Sequence, residues 1–344
     1  MYMDKFVEYI QRGDKLNTLK EGLIILNDKF IPFVFFILSE LFIFNDQLIN
    51  KLLTIDLEGD NQVYIYFGIA KNYELKEDYK NAFKYFQIAN QLKYDMINNT
   101  YDFANEYSTF NILKDMNIPN IDDISDKKII FIVGMPRCGS TLLSKIINYN
   151  NKFKDSGENY DLNIIVEIVK RNLLDYKDKV KNFVDGKYNE NIIDKTLSNF
   201  QLIGIIKQVF TNAKIIHLKR DKGEQLWSNY TNLYALGLQY TYNWETLNKY
   251  YDYYIEYMDH WNNKYDDILN IQFEELKSDS NTVLKKIFDY IEEDFSEECY
   301  NFYKKDEKNK TASNFQVKEP LNNRKYNKFE HYKEFIYKDK KVKN

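Results

Sequence analysis

Hydrophobic positions in the first 115 residues recur at helical spacing, and no stretch alternates with the two-residue period of a strand. Glycine and proline, which interrupt helices, are scarce there. The most apolar stretch, residues 31–44, is shorter than the ~20 residues that a membrane span needs, and it contains Glu40. The pattern predicts an all-helical region, with residues 31–44 as a buried core helix.

From residue 128 onward the pattern changes to short apolar runs separated by helical stretches. Such strands, alternating with helices, indicate an α/β fold in which helices cover both faces of a parallel sheet, giving three layers. The tail from residue 304 onward has little periodicity. The apolar runs predict strands at 128–133, 214–218 and 268–273. Helices are expected near residues 140–150, 159–175, 198–210, 222–237, 244–265 and 279–292.

A polar segment with a proline, NIPNIDDISDK at residues 117–127, separates the two patterns and is typical of a linker. It predicts two domains, an α-helical region at 1–116 and an α/β domain at 128–344.

One segment of the helical region has the residues of a helical hairpin. Small side chains would let two antiparallel helices approach closely, and large ones would fill the groove between them. This spacing resembles a tetratricopeptide repeat, although an ordinary helical hairpin explains a single match nearly as well. The small residues are Ala70, Ala82 and Ala89, and the large ones are Tyr66, Tyr73 and Phe86.

Composition narrows the class of protein. The hydrophobic share of 44% and charged share of 29% exclude a wholly disordered or fibrous chain. A net charge of −4 disfavours nucleic acid as a partner but allows a local basic pocket for a small anion. Two cysteines, Cys138 and Cys299, cannot form a disulfide framework, and with three histidines they give no zinc spacing. The first residues lack the features of a signal peptide. We expect a cytoplasmic protein without a metal or a membrane span.

The first predicted strand of the α/β region ends in GMPRCGST, residues 134–141, and a helix follows at once. A strand, a glycine loop and a helix in this order direct backbone N–H groups at an anion. The glycine spacing is that of the ATP-binding P-loop, but Ser140 stands where the lysine should be. Arg137 supplies a positive charge earlier in the loop. The alternative is a strand–turn–helix without a ligand.

The stretch FIVGMPRCGSTLL, residues 131–143, resembles the 5′-phosphosulfate loop of sulfotransferases, which use 3′-phosphoadenosine 5′-phosphosulfate (PAPS) and release its desulfated product, PAP. The family usually has Ser where this chain has Cys138, so a hydroxyl donor is lost. The resemblance implies a P-loop-type fold that binds PAPS through Pro136, Arg137, Cys138, Gly139, Ser140, Thr141 and Leu142.

A second motif, RDKGEQLWSNY at residues 220–230, resembles the 3′-phosphate site of sulfotransferases. The resemblance assigns Arg220 and Ser228 to that phosphate, although alone Arg220 would be a surface charge and Asp221 a helix N-cap. ATP has no 3′-phosphate, so this pair favours PAPS over an ordinary nucleotide.

Further family motifs follow in order along the chain. They are NIIDKT at 191–196, IQFEEL at 271–276 and TASNFQVKEPL at 311–321. By the resemblance, Phe273 packs near the adenine, with core packing equally consistent, and Lys328 reaches the 3′-phosphate. The resemblance covers residues 128–332 and is closest to the tetratricopeptide-repeat and tyrosylprotein sulfotransferases.

Sulfuryl transfer needs a base at the acceptor hydroxyl and positive charge at the leaving phosphate. Tyrosylprotein sulfotransferases carry Gly-Glu where this chain has Gly157 and Glu158, which assigns Glu158 as the general base. The resemblance further implies that Arg137, Lys195 and Ser313 surround the leaving phosphate. The alternative base, His217, lies in the middle of a predicted strand and is better explained as a core residue.

Three functions are compared on these residues. The first is a PAPS-dependent sulfotransferase whose acceptor is a hydroxyl of a peptide tyrosine, a carbohydrate or a small metabolite, and which can act as a homodimer. The second, an ATP-dependent P-loop phosphotransferase, lacks the P-loop lysine. The third, a non-enzymatic helical-repeat scaffold with a degenerate nucleotide fold, leaves Glu158, Lys195 and Ser313 unexplained.

Overall fold

The computed structural model describes residues 2–97, 101–116, 127–171, 175–234, 237–305, 315–321 and 327–342. The chain forms two compact units. The first consists of Met1–Tyr101, Leu226–Lys249 and Tyr303–Asn344, and the second of Asp102–Gln225 and Tyr250–Phe302. The division into domains at 117–127 stays a prediction, because residues 117–126 lie outside the described part of the chain.

The first unit is helical from its start. Acidic or amide side chains begin several of its helices: Asp14, Asn45 and Asp78 each accept a hydrogen bond from the backbone N–H three residues later. The N-terminal helices are α1 (Tyr2–Arg12), α2 (Lys15–Asp28), α3 (Pro32–Leu38), α4 (Asp46–Leu52), α5 (Asp60–Leu75) and α6 (Tyr79–Met96).

The expected helical hairpin is present as α5 and α6. Ala70, Ala82 and Ala89 are all fully buried, which allows the close approach that small side chains were expected to provide. The ring of Tyr85 stacks on that of Tyr73 with centroids 5.5 Å apart, and Phe86 is fully buried. The further assignment as a tetratricopeptide repeat stays a prediction.

The prediction of one core helix over residues 31–44 is correct for the burial of its middle part but wrong in length, and Phe42 and Ile43 are exposed. Val34, Phe35 and Leu38 are fully buried, yet the helix ends at Leu38. The Ser39 hydroxyl donates to the Phe35 carbonyl oxygen (2.8 Å) beside this end. Beyond it, the Phe42 N–H still donates to the Leu38 carbonyl oxygen (2.9 Å), and the Phe42 carbonyl oxygen accepts a hydrogen bond from the Asn72 amide of α5 (3.1 Å).

The second unit is built on a five-stranded sheet, and every pair of neighbouring strands is parallel. This confirms the expected α/β class with a parallel sheet. The central strand is buried along its whole length, as its continuous apolar sequence predicted. The strands are β1 (Ile129–Val133), β2 (Lys154–Gly157), β3 (Ile192–Asp194), β4 (Lys214–Lys219) and β5 (Ile268–Gln272), in the spatial order β2-β3-β1-β4-β5.

Helices of this unit connect each strand to the next, and others precede β1 or follow β5. The connection from β1 to β2 moves along the sheet toward one edge, and the later connections move along it toward the opposite edge. Right-handed crossovers therefore put helices on both faces. The helices are α7 (Phe103–Lys114), α8 (Ser140–Ile147), α9 (Asp161–Lys170), α10 (Tyr176–Lys187), α11 (Ile203–Val209), α14 (Glu275–Ser278) and α15 (Ser280–Tyr290). Helices α12 (Lys222–Tyr230) and α13 (Trp244–Lys264) have residues in both units, and α16 (Lys333–Val342) belongs to the first.

Candidate active site

The two predicted anion-binding loops leave neighbouring strands at the same end of the sheet. Residues 134–141 follow β1, and Arg220 follows β4, which pairs with β1. The connection after β1 runs toward one edge of the sheet, and the connection after β4 runs toward the other. Open α/β sheets bind ligands in the crevice at such a switch point.

The loop after β1 has backbone conformations that only a glycine-rich sequence adopts easily. At Gly134 (φ +155°), a Cβ would lie 2.7 Å from the Leu218 carbonyl oxygen of β4. Gly139 has φ +103°, and a Cβ there would overlap the ring of Phe273. Gly139 also begins α8 without a side-chain cap, so the helix N-terminus is suited to an anion.

Two side chains from the β4 loop and α12 hold the phosphate loop. Arg220 donates from Nη1 to the Arg137 carbonyl oxygen (2.9 Å) and pairs with Glu224 (3.3 Å). The buried Gln225 amide donates to the carbonyl oxygens of Met135 (2.9 Å) and Pro136 (3.3 Å). Gln225 was not among the predicted site residues, and the motif around it gave no signal for this contact.

Arg220 also lies over the ring of Phe273, with its guanidinium carbon 5.5 Å from the ring centroid. Phe273 is buried against Gly139, so it is both a core residue and a wall of the loop. Asp221 caps α12, as its residue type suggested, by accepting from the Glu224 N–H (2.9 Å).

Cys138 is fully buried within the loop. Burial raises the pKa of its thiol to about 11, and the opposing hydrogen bonds from Ser140 are weaker. The thiol is therefore neutral at physiological pH and lies in the interior of the unit. Ser140 and Thr141, at the start of α8, are also largely buried.

The candidate base and a candidate lysine lie together at the ends of β2 and β3. The Glu158 carboxylate is 3.9 Å from the Lys195 ammonium. Their surroundings differ, because the Lys195 side chain is 6% exposed and that of Glu158 is 61% exposed. Lys195 is therefore held inside the protein, whereas Glu158 is open to an incoming molecule and to solvent.

A hydrogen-bonded network that sequence reasoning missed surrounds this pair. Asp194, fully buried, accepts from the Thr196 N–H (2.9 Å) and the Asn159 amide (3.2 Å). Burial raises the pKa of Asp194 to about 6, against the opposing effect of these hydrogen bonds. Asp194 and Thr196 lie in the recognised NIIDKT motif, but their partner Asn159 could be found only from the pairing of β2 with β3.

His217 is a core residue, as its place in the strand predicted. It is buried in β4, and its ring contacts the side chains of Asn270 (2.7 Å) and Tyr254. Burial lowers its pKa to about 4, so the ring is neutral near pH 7.

The remaining predicted site residues are Ser228, Lys328 and Ser313. Ser228, on α12, and Lys328 belong to the first unit, where the Lys328 ammonium pairs with Glu74 (2.6 Å). Ser313 lies outside the described residues. The roles of all three stay predictions.

The described residues contain no group of three His, Cys, Asp or Glu side chains placed to hold a metal ion. In the same ranges, no helix is both long and apolar enough to cross a membrane.

Residues 178–297 match a model of the Sulfotransferase family, which confirms the family that the sequence motifs indicated. The matched segment includes Lys195, Arg220 and Phe273, and the phosphate loop precedes it. The matched segment is about a third of the chain and supports the resemblance to sulfotransferases over that part.

A relative from Aquifex aeolicus (strain VF5), described as an uncharacterized protein, is 24% identical over 308 residues. The alignment covers 78% of this chain and 40% of the relative, so the chain spans about two fifths of that protein's length.

Solved sulfotransferase structures are more distant. The sulfotransferase domain of the Synechococcus PCC 7002 olefin synthase is 19% identical with a TM-score of 0.36, covering 62% of this chain and 98% of the domain. Sulfotransferase STF1 of Mycobacterium tuberculosis H37Rv is 10% identical with a TM-score of 0.38, covering 78% and 93%. Neither likeness bears on the site or the substrate.

Proposed function

We propose that the protein transfers a sulfuryl group from PAPS to an acceptor hydroxyl. The observation that supports this most is the bond from Arg220 to the Arg137 carbonyl, which joins the two predicted anion-binding loops at the switch point of the sheet. PAPS carries phosphate groups at both the 5′ and the 3′ position, so a protein that binds it needs two adjoining anion sites.

The residues of the second unit fit the donor. The N-terminus of α8 and the Arg137 guanidinium would hold the 5′-phosphosulfate, and Arg220 the 3′-phosphate. The buried thiol of Cys138 would stay in the interior and shape the loop, leaving anion contacts to the backbone and to Ser140 and Thr141.

When bound, PAPS supplies the activated sulfuryl group. The exposed carboxylate of Glu158 takes the proton from the acceptor hydroxyl. The buried ammonium of Lys195, with Arg137 and Ser313, stabilises the negative charge that grows on the phosphate side of the bond that breaks. Lys195 does this effectively because little water reaches it to screen its charge.

The acceptor is proposed as a class, not a compound. The Gly157–Glu158 motif favours a peptide tyrosine, and carbohydrate or small-metabolite hydroxyls are the alternatives. The tetratricopeptide-repeat assignment, a homodimer and a cytoplasmic location are further parts of this proposal. The two free, buried thiols of Cys138 and Cys299 support a reducing compartment.

Two alternatives make different predictions for ligand binding. An ATP-dependent phosphotransferase would bind ATP at least as well as PAP, and it would lack the P-loop lysine that such enzymes use. A scaffold without activity would bind PAP or nothing, and would transfer no sulfuryl group.

The first test measures the melting temperature with PAP, AMP and ATP. Ligands that bind the folded state raise the melting temperature, and we expect PAP to raise it most. In Arg220→Ala, the rise in melting temperature caused by PAP should fall to the size of the rise caused by AMP. Lys222→Ala, which removes an exposed cation paired with Asp252, is the matched control. Equal shifts with ATP and PAP would overturn the PAPS assignment.

The second test measures turnover. Labelled PAPS is incubated with tyrosine peptides, carbohydrates and small phenols or alcohols, and label transfer is followed. Transfer to one class identifies the acceptor. PAP binding without transfer to any of them would favour the scaffold.

A further inference from the structure

The turn that carries Glu158 and the segment that carries Lys195 are bonded to each other on both sides of Glu158. Before Glu158, the Gly157 carbonyl oxygen accepts from the Lys195 N–H (3.2 Å). After it, the Asn159 N–H donates to the Thr196 hydroxyl oxygen (2.9 Å). The two candidate catalytic side chains therefore project from backbone segments that are fixed to one another.

Side chains strengthen the same connection. The Thr196 hydroxyl donates in turn to the Asn159 carbonyl oxygen (3.2 Å). The Asn159 amide donates to Asp194 (3.2 Å) and to the Ser156 hydroxyl (3.2 Å). Asp194 and Thr196 are 0% and 6% exposed, so water cannot readily replace these partners.

Regular sheet pairing does not explain this arrangement. The register between β2 and β3 shifts between Asp155 and Gly157, and β3 ends at Asp194. At the point where the sheet stops holding the two segments together, bonds from Thr196 and Asn159 take over.

We propose that Thr196 and Asn159, supported by Asp194, are positioning residues that set the separation of Glu158 from Lys195. This rests on the proposed function. We call the bonds of these three residues the 159–196 bridge. The bridge touches neither acceptor nor donor. It keeps the base and the cation at the distance at which one takes the acceptor proton while the other meets the leaving phosphate. Misplacement by about 1 Å can lower a rate 100-fold, so a bridge of this kind has a measurable effect.

The test compares Thr196→Val with Thr196→Ser. Valine keeps the shape of threonine without its hydroxyl, and serine keeps the hydroxyl. We expect kcat to fall about 10- to 100-fold in Thr196→Val and to be largely restored in Thr196→Ser. The KM for PAPS and the melting shift with PAP should stay close to wild type, because the phosphate loop and Arg220 are unchanged.

A second readout needs no activity. Amide hydrogen exchange followed by mass spectrometry should be faster in the peptide covering residues 156–160 of Thr196→Val, because the Asn159 N–H has lost its acceptor. Exchange in peptides of β1 should not change. Asn159→Ala, at a half-buried position, serves if Thr196→Val does not fold, because it removes the side-chain bonds to Asp194 and Ser156 that support the same turn.

The outcomes separate this inference from the proposed function. Faster exchange with wild-type kcat in an active enzyme overturns the positioning role alone. Unchanged exchange in a folded Thr196→Val, or in Asn159→Ala where Thr196→Val does not fold, shows that these bonds do not hold the turn and overturns the positioning role as well. A wild type that transfers no sulfuryl group to any acceptor overturns the proposed function, and the positioning role with it.

Discussion

The proton of the acceptor hydroxyl needs a base, and the exposed carboxylate of Glu158 is the group that we propose for it. Glu158→Gln keeps the size of the side chain but cannot accept a proton. We expect turnover to fall by about 10²- to 10⁴-fold, with the melting shift caused by PAP nearly intact. Glu190→Gln is the control, because Glu190 is also an exposed carboxylate paired with a lysine, Lys154 at 2.8 Å. Wild-type turnover in Glu158→Gln would mean that another group is the base.

His217 gives a prediction about pH. Its pKa is lowered to about 4 in the folded protein, against about 6.5 in an unfolded chain. Between these values the unfolded state binds a proton that the folded state does not, so stability falls as the pH is lowered from 6.5 to 4. We expect His217→Gln, measured by urea unfolding at pH 7 and pH 5, to lose less stability than wild type over this range. The raised pKa of Asp194 has the opposite effect on the pH dependence of stability. Because Asp194 is present in both proteins, its effect cancels when their losses of stability are compared.

At the scale of an element, the phosphate loop depends on the close packing of Phe273 on Gly139. Gly139→Ala places a methyl group against the ring at a φ of +103°. We expect a loss of about 1–3 kcal/mol of stability from the backbone conformation alone, a further loss from the overlap, and weaker PAP binding. The measurements are the free energy of unfolding and the PAP dissociation constant.

Gly186→Ala is the matched control for this substitution. Gly186 lies within α10 at an ordinary φ, and a Cβ there would meet nothing within 4 Å. Alanine should leave stability unchanged or raise it by about 0.5–1 kcal/mol. If Gly139→Ala behaved like Gly186→Ala, the loop would be more adaptable than its packing indicates.

The elements differ in how far sequence could predict them. Strands β1, β4 and β5 are apolar runs, and the sequence places them to within one residue. Strands β2 and β3 were not predicted, because they have only four and three residues and β2, KDSG, is polar. The glycine spacing of the phosphate loop is a local signal, and it marks the loop that follows β1. The 159–196 bridge and the contact of Gln225 depend on which segments become neighbours, so single residues give no sign of them.

At the scale of the whole molecule, the net charge of −4 repels a nucleotide that carries several negative charges. Binding must then come from a few groups within a small part of the chain. In the second unit, the groups proposed for this binding are residues 134–141, Lys195 and Arg220. The scattered lysines elsewhere do not predict a second nucleotide site.

Hydrogen exchange over the complete chain, with and without PAP, tests this concentration of binding groups. We expect slower exchange in peptides covering 134–143 and 218–221, since bound PAP would hold the loops after β1 and β4. Peptides of the hairpin α5–α6 should show no change. The same measurement decides the roles predicted for Ser228, Ser313 and Lys328: a residue that contacts PAP should lie in a peptide that is also protected. Protection confined to the first unit, with none at 134–143, would contradict the placement of the nucleotide at the switch point between β1 and β4.

Because Lys328 pairs with Glu74, its binding to PAP would require that ion pair to open. Glu74→Gln should then strengthen PAP binding if Lys328 takes part, and leave it unchanged if it does not.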